Sequence, residues 1–356
     1  MASYLAMFES PYAFIGQTFQ DYRSLSILFF YLFSCAALTT KILLNIYQRY
    51  QARKTQSNWR HDYGIQFVTF IALSIVSIAT TWHYMFALFA HSYRNWEAAQ
   101  PPKQQVLIEL APRLAKWEFW LRDTKLFQEA WECVSATPAR SWWSEQIFEW
   151  TIGWSLFLGV MGRRYKIPGV WMYMLLGQIV AISFALNLFF VTILVSSPID
   201  SQSVKLAWMP PALLELMPVV ISGLGAVATP FAANTEYFMY VLAVPHILLF
   251  IPGLLSPQVL PQGWGAYVAQ PTRRYAFVYK WLLAFSVAIQ AQSIYLVVLN
   301  APSSLGSSAV EIGRILIDAM FEHPAMSSLG CDVVCCTISV TIWFLFGGGF
   351  QEMLDL

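Results

Sequence analysis

The fold this chain predicts is an all-α, polytopic membrane bundle of about eight transmembrane helices, with amphipathic helices on the lumenal side. Three observations predict it. Only 12% of the 356 residues are charged and 57% are hydrophobic, whereas soluble domains run near a quarter charged. Eight apolar stretches approach the roughly 20 residues a spanning helix needs. Fifteen tryptophans, within an aromatic content of 16%, exceed what one core uses, and such rings favour the membrane–water boundary or an apolar pocket.

Residues 1–23 lack the basic start and compact apolar core of a cleavable signal peptide, so the first span is expected to serve as the targeting signal. Spans are expected at 24–47 and 63–89, forming a first membrane unit over 24–89. The connection at 90–143 carries Pro101 and Pro102 and many charges. Its segments around Ile108 and Trp120 have helical spacing with mixed faces, which predicts interfacial amphipathic helices. The second membrane unit, 144–346, begins at 144–161. A long fourth stretch, 168–196, carries Gln178, Ser183 and Asn187. The fifth, 212–229, is interrupted by proline and glycine and holds Glu215, whose place near the start of that stretch suggests the membrane interface. The sixth, 237–255, contains Pro245 and His246. The seventh, 277–299, contains Gln290, Gln292 and Ser293, and the eighth, 325–346, holds Asp332. Residues 347–356 form a tail.

Basic residues in short loops set orientation. Arg49, Arg53, Lys54 and Arg60 follow the first span, and Arg163, Arg164 and Lys166 the third. Both groups are expected in the cytosol, which leaves the N-terminus and 90–143 in the lumen. Arg273 and Arg274 then fall on the wrong side if all eight stretches cross. Either the fifth is re-entrant or the pair is an exception.

The same composition narrows function. A net charge of +1 without a basic block argues against nucleic acid as a partner. The five cysteines show neither disulfide nor zinc spacing. No metal-ligand, phosphate-loop, nucleophile-elbow or dinucleotide motif is present, so no cofactor and no metal is expected. What stands out is acid inside apolar sequence, because ionisable groups at bilayer depth are costly and usually face a cavity or a bundle interior. Glu145 and Glu149 lie four apart, on one helix face. Two carboxylates that close in a dry site do not both ionise cheaply, which favours one neutral acid. Asp332 sits among small neighbours that let another helix or a ligand approach. Trp150 and Trp154, also four apart, supply rings near the glutamates. His83 is a candidate relay or simply a helix-to-helix hydrogen bonder. Gln178, Ser183 and Asn187 either knit helices together or bind the polar head of an amphiphile.

WMYMLLGQIVAISFALNLFF (171–190), HPAMSSLGCDVV (323–334) and LRDTKLFQEAWE (121–132) ahead of SWWSEQIF (141–148) resemble fungal integral membrane proteins of secondary-metabolite clusters. The resemblance spans about 117–346 and is to the transmembrane terpene cyclases of meroterpenoid pathways, of the ascochlorin and ascofuranone type. It implies an enzyme of the endoplasmic reticulum. Without metal, an intramembrane acid would protonate a terminal epoxide or olefin of a prenylated aromatic or polyketide substrate and close a ring. Glu149 or Glu145 with Asp332 would be the acid and its partner. The seven-helix relatives lack this chain's extra stretch and its 90–143 insertion. From another class, a transporter or channel for a small metabolite or protons is the alternative, and oligomeric state is left open.

Overall fold

The computed structural model describes residues 23–54, 59–196, 207–233, 235–268, 271–301 and 308–346, which are 84% helical. The expectations for 1–22 and 347–356 fall outside the described residues. Five helices are long and apolar enough to cross a membrane. They are α1 (Arg23–Arg53), α2 (Trp59–Ala98), α9 (Ala212–Ala232), α12 (Pro271–Asn300) and α14 (Pro324–Phe346). Their outward faces carry large apolar side chains, such as Phe30, Ile65, Leu224 and Trp281, each more than 60% exposed. An apolar exterior of that extent is stable against lipid rather than water.

Of the eight expected stretches, five form helices long and apolar enough to cross. The third stretch is α6 (Pro138–Arg164), which starts and ends beyond the expected 144–161. Its Glu145, Gln146 and Glu149 lower its hydropathy, and it is the central post of the bundle, packed against α9, α12, α13 (Ala309–Phe321) and α14. The sixth stretch is two pieces, α10 (Phe238–Leu248) and α11 (Ile251–Leu254). Between α2 and α6 the chain forms three short helices, α3 (Pro102–Leu110), α4 (Arg113–Asp123) and α5 (Leu126–Val134). α3, α4 and the start of α5 share a small core with Trp96 at the end of α2.

The fourth stretch departs most from expectation. It is α7 (Val170–Ile179) and α8 (Ile182–Leu194), broken where Ala181 is extended at φ −170° and ψ 137°. The Tyr173 hydroxyl lies 2.7 Å from the Thr192 hydroxyl, and the Tyr173 and Phe189 rings are 5.1 Å apart. In one straight helix residues 173 and 192 would be about 28 Å apart. α7 and α8 therefore fold back on each other as a hairpin. Arg49 ties the two ends together, donating to Ser196 Oγ at 2.8 Å and to the Lys166 carbonyl at 3.4 Å. At about 15 Å, α7 reaches only half the hydrocarbon thickness.

A helix break in apolar surroundings needs partners for the backbone groups it frees. The carboxylate of Asp332, on α14, accepts from the backbone N–H groups of Ile182 at 2.9 Å and Ser183 at 2.8 Å. The Tyr31 hydroxyl donates to the Ile179 carbonyl at 2.7 Å. Gly177 lets Trp154 of α6 press onto the hairpin, since a Cβ there would sit 2.6 Å from the indole ring.

α9 and α10 pair antiparallel, with Ser222 Oγ 3.3 Å from the Pro245 carbonyl. Two three-residue strands, β1 (Ala207–Met209) and β2 (Ala266–Val268), pair antiparallel in the register Ala207↔Val268, joining the approaches to α9 and α12.

Candidate functional site

α12 presents Ser286, Gln290 and Ser293, spaced i, i+4 and i+7, to the acidic face of α6. Ser286 Oγ donates to Glu149 Oε2 at 2.5 Å and Gln290 Nε2 to Glu149 Oε1 at 3.0 Å. The Gln290 carbonyl oxygen accepts from Gln146, and Ser293 donates to Glu145. Both glutamates are thus held by side-chain hydroxyls and amides, without a cation. Glu145 is only 6% exposed, and it sits one helical turn from Glu149.

Glu149 opens onto a cavity of about 800 Å³ between α6, α8, α12 and α14. Trp150 and Trp154 are in its wall, with Phe157, Phe190 and Trp343 among the other rings. Beside Glu149 the polar wall residues include Gln146 and Ser286, and toward the other end Tyr275, Tyr279 and Lys280. Ala276, Lys280 and Leu283 of α12 and Thr337 of α14 line the cavity yet are exposed on the outer surface. The chamber therefore opens sideways between α12 and α14.

The remaining expected residues lie elsewhere. Asp332 is 7% exposed and is engaged by the α8 amides, and no hydrogen bond joins it to either glutamate. The side chain of Ile182, whose amide it holds, lines the cavity. Ser183 and Asn187 do not line it. Asn187 Nδ2 donates to the Ser183 carbonyl at 2.9 Å and to Ser77 of α2 at 3.3 Å, so it fastens α8 to α2. Gln178 donates to the His246 carbonyl at 2.9 Å, linking α7 to α10. His83 stacks edge-on with its neighbour Tyr84 at 5.1 Å and is off the cavity.

Sequence reasoning placed Glu215 at the interface without a partner, and the structure supplies the partners. Its side chain is fully buried, within 2.5 Å of Arg163 and 3.0 Å of Arg274, and the Tyr275 hydroxyl reaches both oxygens at 3.1 Å. Arg163 also donates to the Pro252 and Leu255 carbonyls at 3.2 and 3.3 Å. The cluster pins the ends of α6, α9, α11 and α12 together beside the cavity. Unmatched basic residues at 163 and 274 with one acid in an apolar run were its signal in the sequence. Among the described residues no group of three His, Cys, Asp or Glu is placed to hold a metal. Comparison with protein-family models, curated proteins and solved structures gave no match.

Proposed function

We propose that this chain is a membrane-embedded, metal-independent terpene cyclase of fungal secondary metabolism, acting on a lipophilic prenylated aromatic or polyketide substrate. The observation that carries the reading is a single carboxylic acid, Glu149, set into an otherwise largely apolar, ring-lined chamber that opens toward lipid. Acid-initiated cyclisation needs a proton donor, exclusion of water, and aromatic faces for the developing cation.

Protonated Glu149 donates its proton to the epoxide oxygen while the C–O bond to the more substituted carbon breaks. An alkene of the same chain supplies its π electrons to that carbon, and the ring closes. The new cation, facing Trp150 and Trp154, then loses a C–H proton to the Glu149 carboxylate or is captured by a substrate hydroxyl, whose O–H proton passes to that carboxylate. Glu145, one turn deeper, is the partner acid. Asp332 enters as a positioning residue, since both its oxygens accept from the α8 backbone. In this reading the enzyme lies in the endoplasmic reticulum, with its basic end in the cytosol and 90–143 on the lumenal side.

Helical hairpins with exposed half-helix ends are a transporter device. Here the α8 amides are taken by Asp332, which weighs against an open ion site. The test is turnover of an epoxidised farnesyl-phenol in yeast microsomes. Glu149→Gln is expected to lower turnover by at least about 100-fold, the scale of a lost general acid, with a smaller loss for Glu145→Gln. Full activity in Glu149→Gln removes the proposed acid, and no conversion by the unaltered chain removes the cyclase reading.

A further inference from the structure

Away from the chamber, the chain turns from α13 into α14 at the end of the bundle where α2 finishes and α6 begins. His323 makes that corner. Its carbonyl accepts from the Ser327 N–H at 3.0 Å, and its Nδ1 accepts from the Ala325 N–H at 3.2 Å. His323 therefore caps the N-terminus of α14 with an imidazole nitrogen, where helices commonly use a side-chain oxygen. A nitrogen that accepts from an N–H carries no proton, so the ring is neutral with its hydrogen on Nε2. His91 of α2 lies edge-on to it, with ring centroids 4.8 Å apart, and His91 Nε2 is 2.9 Å from Asn95 Nδ2. The turn held by the cap is buried, with Met326 fully so. Ser327 Oγ donates to the Met320 carbonyl and Ser328 Oγ to the Thr81 carbonyl, both at 3.0 Å, which ties this turn to α13 and α2.

We propose that His323 is an acid-sensitive latch: on protonation its ring releases the Ala325 amide, and the first turn of α14 opens from α2 and α13. A proton on Nδ1 sets a donor against a donor and removes the cap. The new charge then stands at the positive end of the α14 dipole, against the His91 ring. Arg140 of α6 opposes it as well, while Glu322, paired with Arg140 at 2.9 Å, favours it. Arg140 also donates to the carbonyl and Sγ of Cys133 in α5, at 3.1 and 3.2 Å. Arg94 of α2, Glu132 of α5 and Asp318 of α13 are exposed and make no hydrogen bond or ion pair to His323. Burial first, then His91 and Arg140, hold the His323 pKa below the ordinary histidine value. A lowered histidine adds stability that is complete above its unfolded value of about 6.5 and is lost as pH falls toward the folded value. The latch is thus shut at neutral pH and released in mild acid. Because α14 carries Asp332 and forms one wall of the chamber, the latch links that wall to the acidity outside this end of the bundle. None of this depends on what the chamber binds.

The test is amide hydrogen exchange of the full chain in lipid nanodiscs, corrected for the intrinsic effect of pH on exchange. Opening of amides 325–331 is expected to rise about fivefold to tenfold between about pH 7.5 and about pH 5.5, the range one histidine with an open-state value of about 6.5 supplies. Residues 150–160 of α6 serve as the reference and are expected to stay protected at both values. His323→Asn keeps a good cap that does not titrate, so its corner is expected to stay shut across the range. His91→Asn removes one opposing group and is expected to shrink the response without abolishing it. As a second measurement on the unaltered protein, exchange of the His323 ring C2–H is expected to titrate with a midpoint below about 6.5. The proposal is overturned by a corner that opens equally at both pH values, by a response that persists in His323→Asn, or by a ring midpoint at or above about 6.5. Parallel opening of 150–160 would also overturn it, since that is general acid unfolding rather than release of a latch.

Discussion

At the scale of single residues, three acids that look alike in the sequence are held in three different ways. Asp332 meets backbone amides at the start of a half-length helix, Glu149 meets a hydroxyl and an amide beside an open chamber, and Glu215 meets two guanidinium groups. Only Glu149 combines polar support with a free approach for a ligand. The role of Asp332 leads to a specific expectation. Asp332→Ala leaves the N–H groups of Ile182 and Ser183 unpaired in an apolar interior, at a cost of about 3 kcal/mol. Asp332→Asn keeps one acceptor oxygen and loses about half of that. Thermal unfolding in detergent, followed by tryptophan fluorescence, orders the variants Asp, Asn, Ala. An Asp332→Ala protein as stable as the unaltered chain would show that the break has other support. The sequence marked Asp332 and Glu149 as acids in apolar runs, because charge at depth is visible from composition alone, and assigned Glu215 to the interface. It left their partners hidden, because those come from 52 to 150 residues away.

At the scale of elements, the same limit explains the fourth stretch. Residues 168–196 are apolar enough for one long span, and two half-length helices laid side by side have the same hydropathy. No proline or glycine marks the break between Ile179 and Ile182, so nothing local distinguished the two. Proline and glycine in the fifth stretch did stand out, yet α9 carries Pro218 and Pro230 without breaking. The polar spacing on α12 was legible as Gln290 and Ser293, and its meaning emerged only when it faced Glu145 and Glu149. The Glu215 cluster fixes four element ends at once, and its removal tests that architecture. Glu215→Gln leaves two guanidinium groups with no counter-charge, a loss on the order of 3–5 kcal/mol for a buried pair broken on one side. The variant is expected to be extracted from membranes in low yield and to unfold well below the unaltered protein. Glu215→Asp, which retains the charge, is expected to recover part of the difference. Wild-type stability in Glu215→Gln would mean that Arg163 and Arg274 are satisfied without it.

At the scale of the whole molecule, the hairpin predicts how the conflict over sidedness resolves. Because α7 and α8 return to the end from which they start, α9 begins at the end where α6 finishes. Arg163 confirms that register within the fold, reaching Glu215 near the start of α9, Pro252 in α11 and Tyr275 near the start of α12. With the hairpin set aside, the expectation is that α1, α2, α6, α9, the α10–α11 pair, α12 and α14 each cross once. Arg49, Arg53, Lys54, Arg163, Arg164, Arg273 and Arg274 then share one end, as the excess of Lys and Arg in cytosolic loops requires. The expected outcome is therefore two classes of surface position. In a background with the five native cysteines replaced, Lys54→Cys and Arg273→Cys should react with a membrane-impermeant maleimide from the cytosolic side of sealed microsomes. Arg113→Cys in α4 and Arg314→Cys in α13 should react only after the vesicles are opened. All four side chains are exposed, so accessibility reports the side of the membrane rather than burial. The position at 273 decides the matter: an even number of crossings between 54 and 273 puts the two on one side, and a fourth stretch that crossed would make that number odd. Labelling of 273 from the side opposite to 54 would turn the hairpin into a span and return Arg273 and Arg274 to the wrong face.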